Sequence, residues 1–300
     1  MGKADRNRKQ TARERIAAQQ AAARRAESRR RLFIAGGAVG LVLVVVLALV
    51  LFNVLGKSSK TSAGTTASGT TARTALPASV LHDVYTVPAS ALASVGTGSV
   101  LKYNPTPVTK VTGPALTENG KPEMLYIGAE FCPYCAAMRW SMAVALSKFG
   151  TFSPLSGIHS SSTDTDPSTP TLTFYKSSYT SKYLTFTAVE NQDINRGSLQ
   201  PTTAAQTALW THYEPGGSQG YPFIDFGNKT VIVAPIYDPA VLAKMTWAQV
   251  ASALHNPSSA AAQGALGAAN FITASICNMT GNQPSSVCSA SPVTTLEHGL

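Results

Sequence analysis

From Leu32 to Phe52 the chain runs for 21 residues, "LFIAGGAVGLVLVVVLALVLF", without a charge or a proline. At the rise of an α-helix this stretch is about 31 Å long, close to the thickness of a bilayer's hydrocarbon core. The pattern predicts a transmembrane helix over residues 32–55. A cleaved secretory signal is the rival, but its apolar region is shorter and ends in a small-x-small site, and "NVLGKSSK" offers none. Residues 56–76 then turn almost wholly to Ser, Thr, Gly and Ala. That composition buries too little apolar surface to fold, and predicts a flexible tether with a mean span of roughly 25 Å.

Beyond the tether, residues 77–300 carry the patterning of one folded domain. "LPASVLHDVYTVPASALASVG" predicts short helical turns broken by Pro and Gly. "GKPEMLYIGAEF" alternates into a strand from Glu123 to Ala129, and "CAAMRWSMAVALSKFG" continues as a helix with Cys135, Met138, Met142, Leu146 and Phe149 on one stripe. "TLTFYKSSY" and "SKYLTFTAVE" predict strands. "PTTAAQTALWTHYE" predicts a helix with Pro201 near its first turn. "YPFIDFGNKTVIVAPIY" predicts a hairpin turning at Gly227-Asn228, and "TWAQVASALHNP" and "SSAAAQGALGAANFITASIC" two closing helices. Together these describe a mixed α/β sheet flanked by helices.

Charge changes the picture at one end only. The net charge is +9, yet residues 1–31 hold eleven Lys/Arg against three acids, and the remaining residues net +1. A basic segment abutting an apolar run reads as a cytoplasmic topology signal that attracts anionic headgroups, not as a nucleic-acid surface. The expected localisation is the cell membrane, single-pass, with the C-terminal domain extracytoplasmic. There disulfides persist.

The chemistry lies in "AEFCPYCAAMRW", residues 129–140. Cys132 stands where the strand gives way to the helix, so unpaired N–H groups and the positive end of the helix dipole favour its thiolate. Cys135, one turn on, can receive a sulfur bond. Pro133 fits the first helical turn and removes an N–H. A zinc site would need a second ligand pair, and Cys277 and Cys288 lie eleven residues apart rather than in a second CxxC. That second pair brackets "NMTGNQPSSV", a run of turn formers; joining it would contribute roughly 3 kcal/mol as a structural disulfide. A relay of electrons to the first pair is the other reading of Cys277 and Cys288.

These residues resemble a known family. "KPEMLYIGAEFCPYCAAMRW" is similar to the first strand, active-site turn and first long helix of thioredoxin-like domains, and Pro133-Tyr134 is the glutaredoxin dipeptide. Pro222 in "GYPFIDFGN" is similar in position to the cis-proline such folds place beside the active site. The chain from about residue 77 also resembles a membrane-anchored domain-of-unknown-function family with "GAEFCPYCAAxRW" and "YPFIDxGN" stretches and a C-terminal cysteine pair. The resemblance implies a thioredoxin-like fold, with Cys132 as attacking thiolate, Cys135 as resolving thiol and Pro222 holding a substrate backbone in register. Two departures stand out. Tyr126 occupies the place of the buried acid that thioredoxins carry six residues before the first cysteine, with Glu130 too close to substitute for it. The stretch from about Thr163 to Glu214 is longer than a minimal thioredoxin needs, which implies an insertion before the Pro222 strand.

The expected function is a membrane-tethered thiol-disulfide oxidoreductase acting on protein thiols or disulfides, with no cofactor and no nucleic-acid partner. The alternatives are a copper-binding or partner-binding assembly module, in which soft thiolates take Cu(I) with a third ligand from His82, His159, His212, His255 or His298, and a scaffold with permanently oxidised cysteines.

Overall fold

The computed structural model describes residues 73–300. The basic segment, the predicted membrane span and residues 56–72 of the tether lie outside the described residues. Among the described residues no single helix is long and apolar enough to cross a membrane.

The organising element is the strand β4 (Lys121–Ala129), whose residues from Glu123 onward are all buried. Its side chains alternate between two covered faces, as strand geometry requires. Met124 and Tyr126 join the main core with Trp140, Phe174 and Leu266, while Leu125 and Ile127 join a second cluster with Val189, Trp210 and Phe223. Numbered in chain order, the elements before it are β1 (Thr74–Ala75), α1 (Ala78–Tyr85), α2 (Ala89–Val95), α3 (Val100–Tyr103), β2 (Thr109–Lys110) and β3 (Thr117–Glu118). After it come α4 (Pro133–Leu146), β5 (Gly150–Phe152), β6 (Ser156–His159), β7 (Pro170–Thr173), β8 (Tyr179–Ser181), β9 (Thr185–Gln192) and α5 (Ala204–Tyr213). The chain closes with β10 (Phe223–Phe226), β11 (Thr230–Ile232), α6 (Trp247–Ala253), α7 (Ala260–Thr280), α8 (Ser285–Cys288) and α9 (Val293–Glu297).

In the main sheet β4 lies between β9, which it pairs in parallel, and β10, which it pairs antiparallel with Phe223 opposite Ile127. β11 and then β2 extend the sheet beyond β10, and β3 folds back on the start of β4. The β10–β11 hairpin turns at Gly227 and Asn228, both at positive φ, and Asp225 Oδ1 accepts the Asn228 N–H at 2.6 Å. A turn with two left-handed residues matches the twist of the strands it joins, which is why Gly-Asn is legible as a hairpin. A smaller sheet, β1-β6-β7, and the β5–β8 pair complete the strands. The protein is thus a mixed α/β domain with a mixed sheet and flanking helices.

Three expectations are corrected. The folded unit takes in Arg73 to Leu76, placed by composition in the tether: Thr74 and Ala75 pair with β6, and Leu76 is buried. The segment "TLTFYKSSY" is not one strand: β7 ends at Thr173, a turn with Lys176 at positive φ follows, and only Tyr179 belongs to the next strand, β8. The stretch from Thr163 to Glu214 is not one insertion: β9 within it is the parallel neighbour of β4, and α5 supplies Trp210 to the second core. Pro201 does lie near the first turn of α5, three residues ahead of Ala204, where Thr203 and Gln206 form a reciprocal capping box.

α4 also differs from a one-stripe helix. Every residue from Cys135 to Leu146 is buried, because α4 packs between the sheet, β7 and the long α7. Gly267 is what lets α7 approach the α2–α3 turn, since a Cβ there would come within 2.5 Å of the Thr97 carbonyl oxygen.

Candidate functional site

β4 ends at Ala129 and α4 begins at Pro133, so the residues between them form a tight switch. Cys132 is the N-cap of α4, with an extended backbone, and its Sγ accepts the Cys135 N–H at 3.4 Å. The Pro133 that follows fits a first helical position, where an N–H would have no partner within the helix. Both Cys132 and Cys135 are unpaired thiols; Cys135 has no exposed surface and Cys132 keeps 4%.

The two thiols are pulled in opposite directions. Cys132 is held below the ordinary thiol range, chiefly by the hydrogen bond from the Cys135 thiol, with further help from the Cys135 and Tyr134 amides and the Arg139 charge; burial opposes the shift. Cys135 is pushed well above that range, first by burial and then by its hydrogen bond to Cys132 and the Cys132 charge. A dithiol split in this way has one sulfur prepared to attack and a second that stays protonated until the first is engaged.

Beneath the pair lie groups that sequence spacing did not reveal. Arg139, one turn beyond Cys135 on the same helix face, is completely buried. Its Nε donates to Glu190 Oε1 at 2.8 Å, and one terminal nitrogen donates to Glu190 Oε2 at 2.6 Å and to the Ala129 carbonyl at 2.8 Å. Glu190, on β9, is equally buried and also accepts the Phe174 N–H at 3.3 Å. Tyr126 is fully buried, its hydroxyl meets no hydrogen-bond partner among the described residues, and burial raises its pKa well above the phenolic value, with Cys135 adding to the rise. Glu130 points elsewhere: Arg73 holds it through two hydrogen bonds of 2.9 and 2.7 Å, and the Thr173 hydroxyl donates to it at 2.8 Å. The available signal for the Arg139–Glu190 pair was a lone charge inside the apolar run "AAMRWSMAVAL".

An aromatic rim borders the thiols. The Phe131 ring sits between the Arg196 guanidinium, 3.8 Å from its centroid, and the edge of Tyr221, at 5.9 Å. Tyr221 packs on Trp210 at 5.1 Å and donates to Asn191 Oδ1 at 2.5 Å. Pro222 follows through a cis bond and leads directly into β10, beside the end of β4. Next to Phe131 opens a cleft of about 620 Å³ lined by residues that include Ser161, Thr163, Ser168 and Arg196.

Cys277 and Cys288 are joined in a disulfide between α7 and α8, with a Cα–Cα distance of 5.6 Å. Among the described residues no three His, Cys, Asp or Glu side chains group closely enough to hold a metal ion. Of the five histidines, His255 bonds the Asp83 carbonyl at 2.8 Å and His159 stacks near Trp247.

The site therefore belongs to a mixed α/β domain with an asymmetric dithiol at a helix N-terminus. The chain belongs to the family described as domain of unknown function DUF929, whose family model matches residues 107–278. No curated protein and no solved structure matches it.

Proposed function

We propose that this protein is a membrane-tethered, extracytoplasmic thiol-disulfide oxidoreductase built on a thioredoxin-like domain. The observation that carries the reading is Cys132 at the N-cap of α4, its sulfur receiving a backbone N–H and its thiolate favoured while Cys135 is held protonated. The unit β4–α4–β9 followed by α5 and the β10–β11 hairpin, with Pro222 opening β10 beside the dithiol, supports the thioredoxin-like reading. The apolar run at residues 32–55 and its basic preface support the tether and its orientation.

In this reading Cys132 attacks or is attacked by a sulfur of a protein substrate, Cys135 resolves the mixed disulfide, and Pro222 lines the substrate backbone. The 4% exposure of Cys132 restricts attack to a sulfur presented at the rim of Phe131 and Tyr221. The test is a pair of variants of the full-length chain. Cys132→Ser is expected to abolish insulin reduction by the chain, and Cys135→Ser to accumulate mixed disulfides through Cys132. Wild-type activity in Cys132→Ser overturns the reading.

A further inference from the structure

Two hydrogen-bond donors beside the dithiol have no acceptor among the described residues. Arg139 Nη1 and the Tyr126 hydroxyl are both buried and unpartnered, although their parent side chains are fully enclosed. A buried donor left unmatched costs on the order of 1–3 kcal/mol, more when it is charged, so two of them at one spot call for an explanation. Glu190 occupies the other side of the guanidinium, and the Ala129 carbonyl takes a second bond from the nitrogen that meets Glu190. What remains unsatisfied is the part of Arg139 that no carboxylate covers. The Arg139 charge acts on both thiols and on Tyr126, and Tyr126 interacts with the Cys135 side chain. Cys135 is a free, buried cysteine whose burial favours the neutral thiol, a poor acceptor. As a thiolate it would be the missing acceptor for both.

We propose that Arg139, braced by Glu190, and Tyr126 are positioning residues that stabilise the sulfur released when a Cys132–Cys135 disulfide is opened, making the oxidised pair a donor of disulfides to protein thiols. This rests on the exchange reading above and gives it a direction. A substrate thiolate attacks Sγ of Cys132; the S–S bond breaks and its electron pair stays on Cys135, which leaves as a thiolate toward Arg139 and Tyr126 and then takes up a proton. A second substrate thiolate attacks the substrate sulfur of the mixed disulfide, and Cys132 leaves as a thiolate. The substrate loses two electrons and gains a disulfide, and the protein dithiol holds those electrons. A more oxidising disulfide regenerates the pair by the reverse exchange. The donors facing Cys135 ease its departure, while the Arg139 charge also favours the Cys132 thiolate of the reduced pair and so raises the tendency of the oxidised form to accept electrons.

The experiment equilibrates the full-length chain with reduced and oxidised glutathione and follows the dithiol fraction. The wild-type pair is expected to oxidise reduced glutathione. Arg139→Met combined with Glu190→Gln, which removes the charge without stranding a carboxylate, is expected to shift the equilibrium about tenfold toward the disulfide, about 30 mV. Tyr126→Phe, which keeps the ring and the packing, is expected to slow the opening of the oxidised pair by reduced glutathione severalfold, and it carries the test if the double variant does not fold. An equilibrium within twofold of wild type in the folded double variant, an unchanged opening rate in Tyr126→Phe, or a wild-type pair less oxidising than glutathione, overturns the proposal while leaving exchange intact. A wild-type chain that forms no mixed disulfide with glutathione overturns both.

Discussion

The molecule holds two cysteine pairs in contrasting surroundings. Cys277 and Cys288 end a run of turn formers and are joined across α7 and α8. Cys132 and Cys135 are closer in sequence yet unjoined, one capping a helix and the other buried over an ion pair. Oxidising the first pair closes a loop of about a dozen residues and removes much freedom from the unfolded chain. Closing the second pair constrains almost nothing, so its value lies in the energies of its two sulfurs rather than in chain entropy. The same element thus serves as a staple where it ties two helices across a loop of about a dozen residues, and as a reactive pair where backbone amides and a buried charge distinguish the two atoms.

The largest effect that could break this contrast is loss of exchange. Cys132→Ser is expected to leave no detectable insulin reduction, whereas Cys277→Ala with Cys288→Ala keeps it; an electron relay through the C-terminal pair would reverse the second result. Stability sharpens the contrast from the other side. The Cys277→Ala, Cys288→Ala chain is expected to lose about 3 kcal/mol of unfolding free energy in denaturant titration, and Cys132→Ala with Cys135→Ala far less. The smallest effect concerns access. Phe131→Ala is expected to raise the rate of Cys132 alkylation severalfold, because its ring, pinned by Arg196 and Tyr221, borders a thiol with 4% exposure. An unchanged rate would show that the rim does not limit approach.

Much of this was legible from pattern alone. The hairpin at Gly227-Asn228 announces itself because few residues tolerate two left-handed positions in a row. The strand-to-helix switch at Cys132 is readable because alternation stops and helical spacing begins within three residues. Less visible were features that depend on partners distant in sequence. β9 resembles an insertion until it is seen pairing with β4, and Glu190 looks like a surface acid at a strand end until it meets Arg139 across 51 residues. Arg73 and Thr173 likewise turn Glu130 away from the thiols, which no local pattern encodes. The burial of α4 on every side follows from layers packed against it, while its own composition shows one stripe at most.

Lowering the Cys132 pKa also couples reactivity to folding. The reduced protein gains stability above the unfolded thiol's pKa of about 8.5, and loses that gain as pH falls through the lower folded value. The central claim, that the N-terminus of α4 and its neighbours hold Cys132 as a thiolate, is tested most directly by following the ultraviolet thiolate absorbance of the reduced full-length chain against pH. A thiolate that appears well below about 8.5 in the wild type and vanishes in Cys132→Ser is the predicted result. A wild-type chain whose first thiolate appears only at or above about 8.5 would contradict it.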